Sequence, residues 1–310
     1  MTQAKPANRA RHYTVLMLLW MSAASAPLPA NALDLPRNDL AEAIQALIDA
    51  HQGKVAVSMK HLTTGETFQF RSDEPMPTAS LIKLAVMIEV YEQAREGKVR
   101  LEDSVTLAEA DKVPGSGILT AHFSAGTTMS LRDAVRLMMV FSDNTATNLV
   151  LDKIGIGSTA ARMESWGFAN TKIHSKVFRR ETSIAPERSQ QFGLGSTTAA
   201  EMIALLEQIH GGRRIAESDR VAMLDHLKHC DDKDKFPRRL PAGTVVAHKT
   251  GSVERSRTDA GIIYSPSGPI ALCVLTSDNE DRSWRPDNAG NALCAAIARC
   301  VYDHFNSKGK

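Results

Sequence analysis

Apolar residues recur at helical spacing over Asp39–His51, Ser80–Glu96, Leu131–Ile154, Ser158–Trp166, Thr197–His210 and Ser218–His229, which predicts a helix in each stretch. Between the first two lie the apolar-rich runs Val55–Lys60 and Thr67–Phe70. They flank Thr63-Thr64-Gly65-Glu66 and read as a hairpin. The last third returns to strands: Thr244–Thr250, Ala260–Tyr264 and Ile270–Thr276 are short β-branched or apolar runs, the last two joined by Ser265-Pro266-Ser267-Gly268. A further helix is expected from about Asp287 to Phe305. Strands at both ends around a helical middle predict an α+β fold, with one sheet closed by N- and C-terminal segments and an all-helical subdomain inserted between them. No repeat or low-complexity tract interrupts this order.

The start of the chain breaks the pattern. Lys5, Arg9 and Arg11 precede an apolar run of roughly a dozen residues from Tyr13, which leads into small residues and Ala30-Asn31-Ala32. That layout predicts an exported chain with a cleaved signal peptide at 1–32 and a single domain at 33–310. Its sheet part is expected at about 33–79 and 212–310, and its helical part at about 80–211. The apolar run falls short of the ~20 residues that cross a bilayer, so no stable membrane anchor is expected after cleavage. The 37 Lys+Arg against 35 Asp+Glu give a formal charge of +2. Removing three cations and no anion leaves 34 against 35, so the basic tilt belongs to the leader. The remaining balance gives no reason to expect a nucleic-acid partner, and 43% hydrophobic residues with 5% aromatics exclude a disordered or fibrous chain. Nothing in the sequence requires more than a monomer.

The four cysteines are Cys230, Cys273, Cys294 and Cys300. Cys294 and Cys300, six apart in a helical pattern, are separated by ~9 Å of rise and about 240° of rotation and cannot bridge each other. Buried free thiols are the expectation, with a partner for Cys230 left open. His226, His229 and Cys230 share ligand chemistry, but no second cluster completes a site, so no metal is expected.

Three short motifs carry chemistry. Ser80-Leu81-Ile82-Lys83 opens a strongly helical run, and spacing of i and i+3 sets the hydroxyl and the amine on one helix face. A serine needs a base, and a neutral lysine amine can serve as one. Lowering a lysine from ~10.4 to ~7 costs about 5 kcal/mol, so the amine has to be desolvated or set beside positive charge. The motif by itself is weak: about one Ser-x-x-Lys is expected by chance in such a chain, and Ser307 to Lys310 is a second. Ser142-Asp143-Asn144 opens the helix Thr145–Ile154; it reads either as an N-cap cluster or as a proton relay with an amide holder. Lys249-Thr250-Gly251-Ser252 ends an apolar run, either as a strand terminus or as one wall of a site, where the glycine admits a ligand to the backbone. Each of the last two arises by chance in roughly one such chain in ten to twenty.

All three in this order make the chain resemble the penicillin-recognising serine acyltransferases, and among them the class A serine β-lactamases. Phe141–Val150, Leu240–Thr244 and Ala260–Ile263 extend the likeness over most of the chain. The resemblance implies an antiparallel sheet packed with helices, a small-molecule β-lactam substrate and no cofactor. It implies that Ser80 is acylated, Lys83 lies in the proton path, Ser142 protonates the departing nitrogen and Asn144 holds a substrate amide. The backbone N–H groups of Ser80 and Ser252 would form the oxyanion hole, with Gly251 admitting the substrate. Lys249 and Thr250 would read a carboxylate.

The chain also departs from that family. The position that often carries an extra carboxylate-binding arginine is Ala260, which leaves Lys235, or Arg257, as the substitute cation. Arg179-Arg180-Glu181-Thr182-Ser183-Ile184-Ala185 matches the deacylation loop in Arg179, Glu181 and an aliphatic residue, so Glu181 is the expected deacylation base. The usual asparagine is Ala185, however, and the far end of the loop reads Phe192-Gly193-Leu194-Gly195. The resemblance therefore implies a β-lactamase with a Ser80 acyl-enzyme. A D,D-peptidase or penicillin-binding acyltransferase with slow deacylation is one alternative, and a non-catalytic domain binding cell-wall fragments is another.

Overall fold

The structure is a computed structural model that describes residues 40–307; the expected leader lies outside the described residues. In chain order the elements are α1 (Leu40–Asp49), β1 (Lys54–His61), β2 (Thr67–Phe70), β3 (Met76–Pro77), a 3-10 turn (Ala79–Ile82), α2 (Lys83–Arg95), β4 (Ser104–Thr106), α3 (Leu119–His122), β5 (Thr128–Ser130) and α4 (Leu131–Val140). There follow α5 (Asn144–Ile154), α6 (Ile156–Ser165), β6 (Lys172–Ile173), α7 (Pro186–Phe192), β7 (Gly195–Thr197), α8 (Ala199–Gly211) and α9 (Glu217–Lys228), then β8 (Val245–Val253), β9 (Ser256–Ser265), β10 (Gly268–Ser277) and α10 (Ala289–Asn306).

The expected hairpin and the C-terminal strands merge into one antiparallel sheet in the order β2-β1-β10-β9-β8. Both faces are covered, so the strands read as continuous apolar runs rather than clean alternations. Val55, Val57 and Met59 with Ile270, Leu272 and Val274 face α1 and α10, while Ala56, Ala271, Cys273 and Leu275 belong to the larger core on the other side. That side carries α8, which packs against β1 and β10. The strands also run longer than their apolar runs predict. β8 does not stop at Thr250 but continues through Gly251 and Ser252 to Val253, paired with Ser256–Tyr264 of β9. It is the last strand of the sheet.

α2 is buried at every position from Lys83 to Gln93, the pattern of a helix enclosed by others rather than laid on a surface. The predicted Leu131–Ile154 helix is two helices. α4 ends at Val140, Ser142 takes φ +53, and Asp143 caps α5 by accepting from Ala146 N at 2.8 Å. A serine at positive φ cannot continue a right-handed helix, and the aspartate after it restarts one.

Candidate active site

Ser80 lies in the 3-10 turn just before α2, after Ala79 at φ +47. A non-glycine residue in the left-handed region costs of order 1 kcal/mol or more, and packing must hold it. Here β8 does so. A Cβ at Gly251 would collide with Thr78 O and lie 3.0 Å from Leu81 N, so only glycine lets this strand lie flush against the turn that carries Ser80. Thr258 of β9 ties the same carbonyl down, its hydroxyl donating to Thr78 O at 3.0 Å.

One turn on, Lys83 is 0% exposed. Its amine donates to Ser142 O at 2.6 Å, to Asn144 Oδ1 at 2.9 Å and to Ser142 Oγ at 3.3 Å. Burial first, and the positive Lys249 second, hold its pKa well below the usual lysine value, with Asp143 opposing. A lowered lysine pKa needs desolvation or a neighbouring positive charge, and this amine has both. Lys249, also 0% exposed, approaches Ser142 from the opposite side, donating to its Oγ at 3.1 Å and to Thr250 O at 2.8 Å. Burial lowers the Lys249 pKa as well, while Cys230 and Asp232 pull it up.

The helix break brings this about. Positive φ turns Ser142 in between the two amines. Asp143 fixes the opposite loop by accepting from Ile118 N at 2.7 Å and Leu119 N at 2.8 Å. In Ser142-Asp143-Asn144 the aspartate is the cap, and the residues on either side of it meet Lys83. Asn144 is 6% exposed and its amide nitrogen donates to Pro114 O at 2.9 Å, so in this arrangement it secures Lys83 and the loop.

Ser80, Ser142, Lys249, Thr250, Gly251 and Ser252 line one cleft of about 450 Å³. Ser116, Val140 and Phe141 form part of its wall, and the stretch Cys230–Asp234 closes another side. That last stretch is not recognisable as a wall from the sequence, since no local pattern ties it to the other motifs. Among the described residues no three His, Cys, Asp or Glu side chains are arranged to hold a metal ion, and the four cysteines are free thiols.

Two expected residues fall elsewhere. Lys235 is 1% exposed and pairs with Asp232 at 2.6 Å, behind the wall rather than on it. Burial would raise the Asp232 pKa, but Lys235 and hydrogen bonds, one of them from Thr250, bring it down. A cation already neutralised this closely is not free for a substrate carboxylate. Arg257, the other candidate, spends its guanidinium on the carbonyls of Val253, Ser256 and Ser283 and lies under Trp284 at 4.9 Å. Glu181 sits in a short 3-10 turn, Arg180–Thr182, with its side chain exposed and outside the cleft lining. Among the described residues it makes no side-chain hydrogen bond or ion pair. From the same loop Phe178, at φ +56, packs beside Gly115: a Cβ built on that glycine would lie 3.3 Å from the Phe178 ring and 2.7 Å from the Asn144 amide nitrogen.

The sequence pattern of the β-lactamase enzyme family matches residues 39–305. A β-lactamase of Amycolatopsis lactamdurans is 29% identical over 292 residues, which cover 89% of this chain and 86% of that protein. Among solved structures, a β-lactamase from Sphaerobacter thermophilus superimposes with a TM-score of 0.77 at 28% identity, covering 89% of this chain and 100% of that one. A reconstructed ancestral class A β-lactamase gives 0.75 at 25% identity, covering 86% and 100%. With a match that spans nearly the whole described chain, and with Ser80, Ser142 and Lys249 lining one cleft and the buried Lys83 amine behind Ser142, this chain belongs to the β-lactamase enzyme family, among its class A serine members.

Proposed function

We propose that this β-lactamase opens the four-membered amide of a β-lactam through an ester on Ser80. One observation carries the reading: Ser142 Oγ lies within hydrogen-bond reach of both buried amines, Lys83 and Lys249, in the cleft that Ser80 lines. Ser80 Oγ attacks the lactam carbonyl and its proton passes to the neutral Lys83 amine, which the depressed pKa makes available. Backbone N–H groups of Ser80 and Ser252 face the developing oxyanion; each donor in such a hole is worth about 3–4 kcal/mol. As the amide bond breaks, Ser142 gives its proton to the nitrogen and recovers one from Lys83. Lys249, whose acidic neighbours oppose the effect of burial, and Thr250 read the substrate carboxylate without help from Lys235. Asn144 steadies Lys83 and offers its amide to the substrate side chain.

Water then has to cleave the ester, and Glu181 is the carboxylate that the sequence pattern nominates as base. Its exposure favours a protein whose acylation machinery is preassembled and whose deacylation is the slow step. This is the penicillin-binding behaviour in kinetic form, without loss of turnover. The basic, apolar and small-residue pattern of residues 1–32 supports export, and a monomer suffices for the chemistry.

The test is a chromogenic cephalosporin followed by absorbance and by intact mass together. A burst of one equivalent, then continued turnover with the Ser80 ester populated, is the expected result. A single persistent adduct with no further turnover overturns the hydrolase reading in favour of a penicillin-binding acyltransferase, and no adduct in folded protein favours a binding domain.

A further inference from the structure

The loop that carries Glu181 leaves the small sheet after β6, at Ile173, and returns to it in β7, where Gly195 pairs with Ile173. His174 stands at this crossing. Its main-chain N–H donates to Leu194 O at 2.8 Å, and its carbonyl accepts from Ile184 N at 2.9 Å, just past Glu181. The side chain adds two more ties. The ring is 0% exposed, with Nδ1 2.9 Å from Gly193 O and Nε2 3.1 Å from Oγ of the equally buried Ser196. A carbonyl only accepts, so Nδ1 carries a proton and donates to it. Burial holds the ring below the usual histidine pKa and Arg188 and Lys172 add to this, with the Gly193 carbonyl opposing. The imidazole is therefore neutral at neutral pH, and its Nε2 is an acceptor for the Ser196 hydroxyl.

Ser196 carries the tie onward. Arg188 Nη2 donates to its Oγ at 2.8 Å, and Asn170 O lies 2.9 Å from the same oxygen. Arg188 belongs to α7, and Phe192 at the end of that helix sets its ring 6.4 Å from the imidazole and 5.5 Å from the Arg188 guanidinium. The part of the loop before Glu181 has its own hold, because Asn148 of α5 accepts from Val177 N at 2.8 Å and donates to Val177 O at 3.0 Å. The part after Glu181 is held by His174, Ser196 and Arg188. A buried imidazole is a costly way to fill space, but its directed bonds fix one loop arrangement where an apolar side chain would permit several.

His174, Ser196 and Arg188 are absent from the cleft lining, so they do not touch a substrate there. Their link to the chemistry is Glu181, whose exposed side chain has no hydrogen bond or ion pair among the described residues and is placed by the loop backbone alone. Resting on the reading of Glu181 as deacylation base, we propose that His174 is a positioning residue for deacylation, clasping the two ends of the loop through Gly193 and Ser196 so that the Glu181 carboxylate is brought to the Ser80 ester. Acylation is independent of this clasp. Its groups lie on other elements, Lys83 on α2, Ser142 at the break between α4 and α5, and Lys249 on β8. A base misplaced by ~1 Å loses up to about 10² in rate, so loosening the clasp should slow the second half of the reaction and spare the first.

The experiment measures single-turnover acylation and deacylation of a chromogenic cephalosporin in the full chain, in His174→Ala, in Glu181→Gln and in the double variant. Deacylation should slow by about tenfold or more in His174→Ala, with the burst still at one equivalent and the acylation rate within about twofold. In the Glu181→Gln background the same substitution should change deacylation by less than about twofold, because the group it positions is gone. A merely structural role would slow both halves, or slow deacylation equally in both backgrounds. His174→Asn, which keeps a donor for Gly193 O, should recover part of the rate. Ser196→Ala removes the other arm with less disturbance of the core, should show the same split, and decides the matter if His174→Ala does not fold. Deacylation within about twofold of the unaltered chain in folded His174→Ala, or acylation slowed as much as deacylation, overturns the proposal. Slowing in Glu181→Gln with an additive loss in the double variant overturns the clasp alone. No slowing in Glu181→Gln overturns the reading of Glu181, and the clasp with it.

Discussion

The Lys249 amine donates to the Ser142 hydroxyl at 3.1 Å, although the two residues are 107 positions apart in the chain. A strand end and a helix break meet at that hydrogen bond. With Lys83 at 3.3 Å on its other side, Ser142 is the hydroxyl placed to carry a proton in the proposed acylation. Ser142→Ala should lower kcat/KM for a cephalosporin by about 10²–10³, in the range of a lost general acid, with little change in thermal midpoint. Retention of more than a tenth of the activity removes Ser142 from the proton path.

The acid limb of acylation should belong to Lys83. Burial and Lys249 depress its pKa, so the neutral, active amine grows in as pH rises and is complete below the pH an ordinary lysine requires. Removing the neighbouring charge with Lys249→Met relieves one of those causes, and the acid limb of single-turnover acylation should move to higher pH. A limb that stays in place assigns it to another group.

Glu181→Gln should leave the burst at one equivalent per enzyme and slow the steady state by about tenfold or more, in keeping with loss of a general base. Stopped-flow absorbance separates the two phases. An unchanged steady state means that water is activated by some other group, and a lost burst means that Glu181 acts before the ester forms.

Lys235 should behave as a structural cation. Its pair with Asp232 is closed to solvent on the lysine side while the carboxylate side chain is 30% exposed, so Lys235→Ala leaves a half-buried carboxylate without its partner. The expected loss is about 1–3 kcal/mol in denaturant unfolding. KM for a substrate bearing a carboxylate should change far less than in Lys249→Met. A selective rise in KM at unaltered stability would restore Lys235 to the site.

The residues that carry the chemistry were legible because they come in short, spaced groups, and a helix face or a strand end is enough to predict what Ser80 and Lys83, or Lys249 and Thr250, present together. The sheet was legible from its apolar runs, although backbone pairing carries β8 three residues past the end of its predicted run. What stayed hidden depends on long-range placement. Lys235 and Lys249 are alike as letters, and only the fold shows that one is neutralised by Asp232 while the other meets Ser142. Glu181 matches its pattern, yet the backbone of its loop sets Phe178 beside Gly115 and leaves the carboxylate outside the cleft lining. His248 and Asp259 belong to no motif at all, and the pairing of β8 with β9 brings them together.

A sheet that ends on a nine-residue strand ordinarily has an aggregation problem, because an unpaired edge templates the next chain. Here α9 and the turn at Ala79–Ile82 pack against β8, and Val246 to Gly251 are buried. The exposed lengths are its two ends, Val245 and Val253, so the same glycine contact that seats the turn carrying Ser80 also covers part of an edge that would otherwise be open to strand pairing.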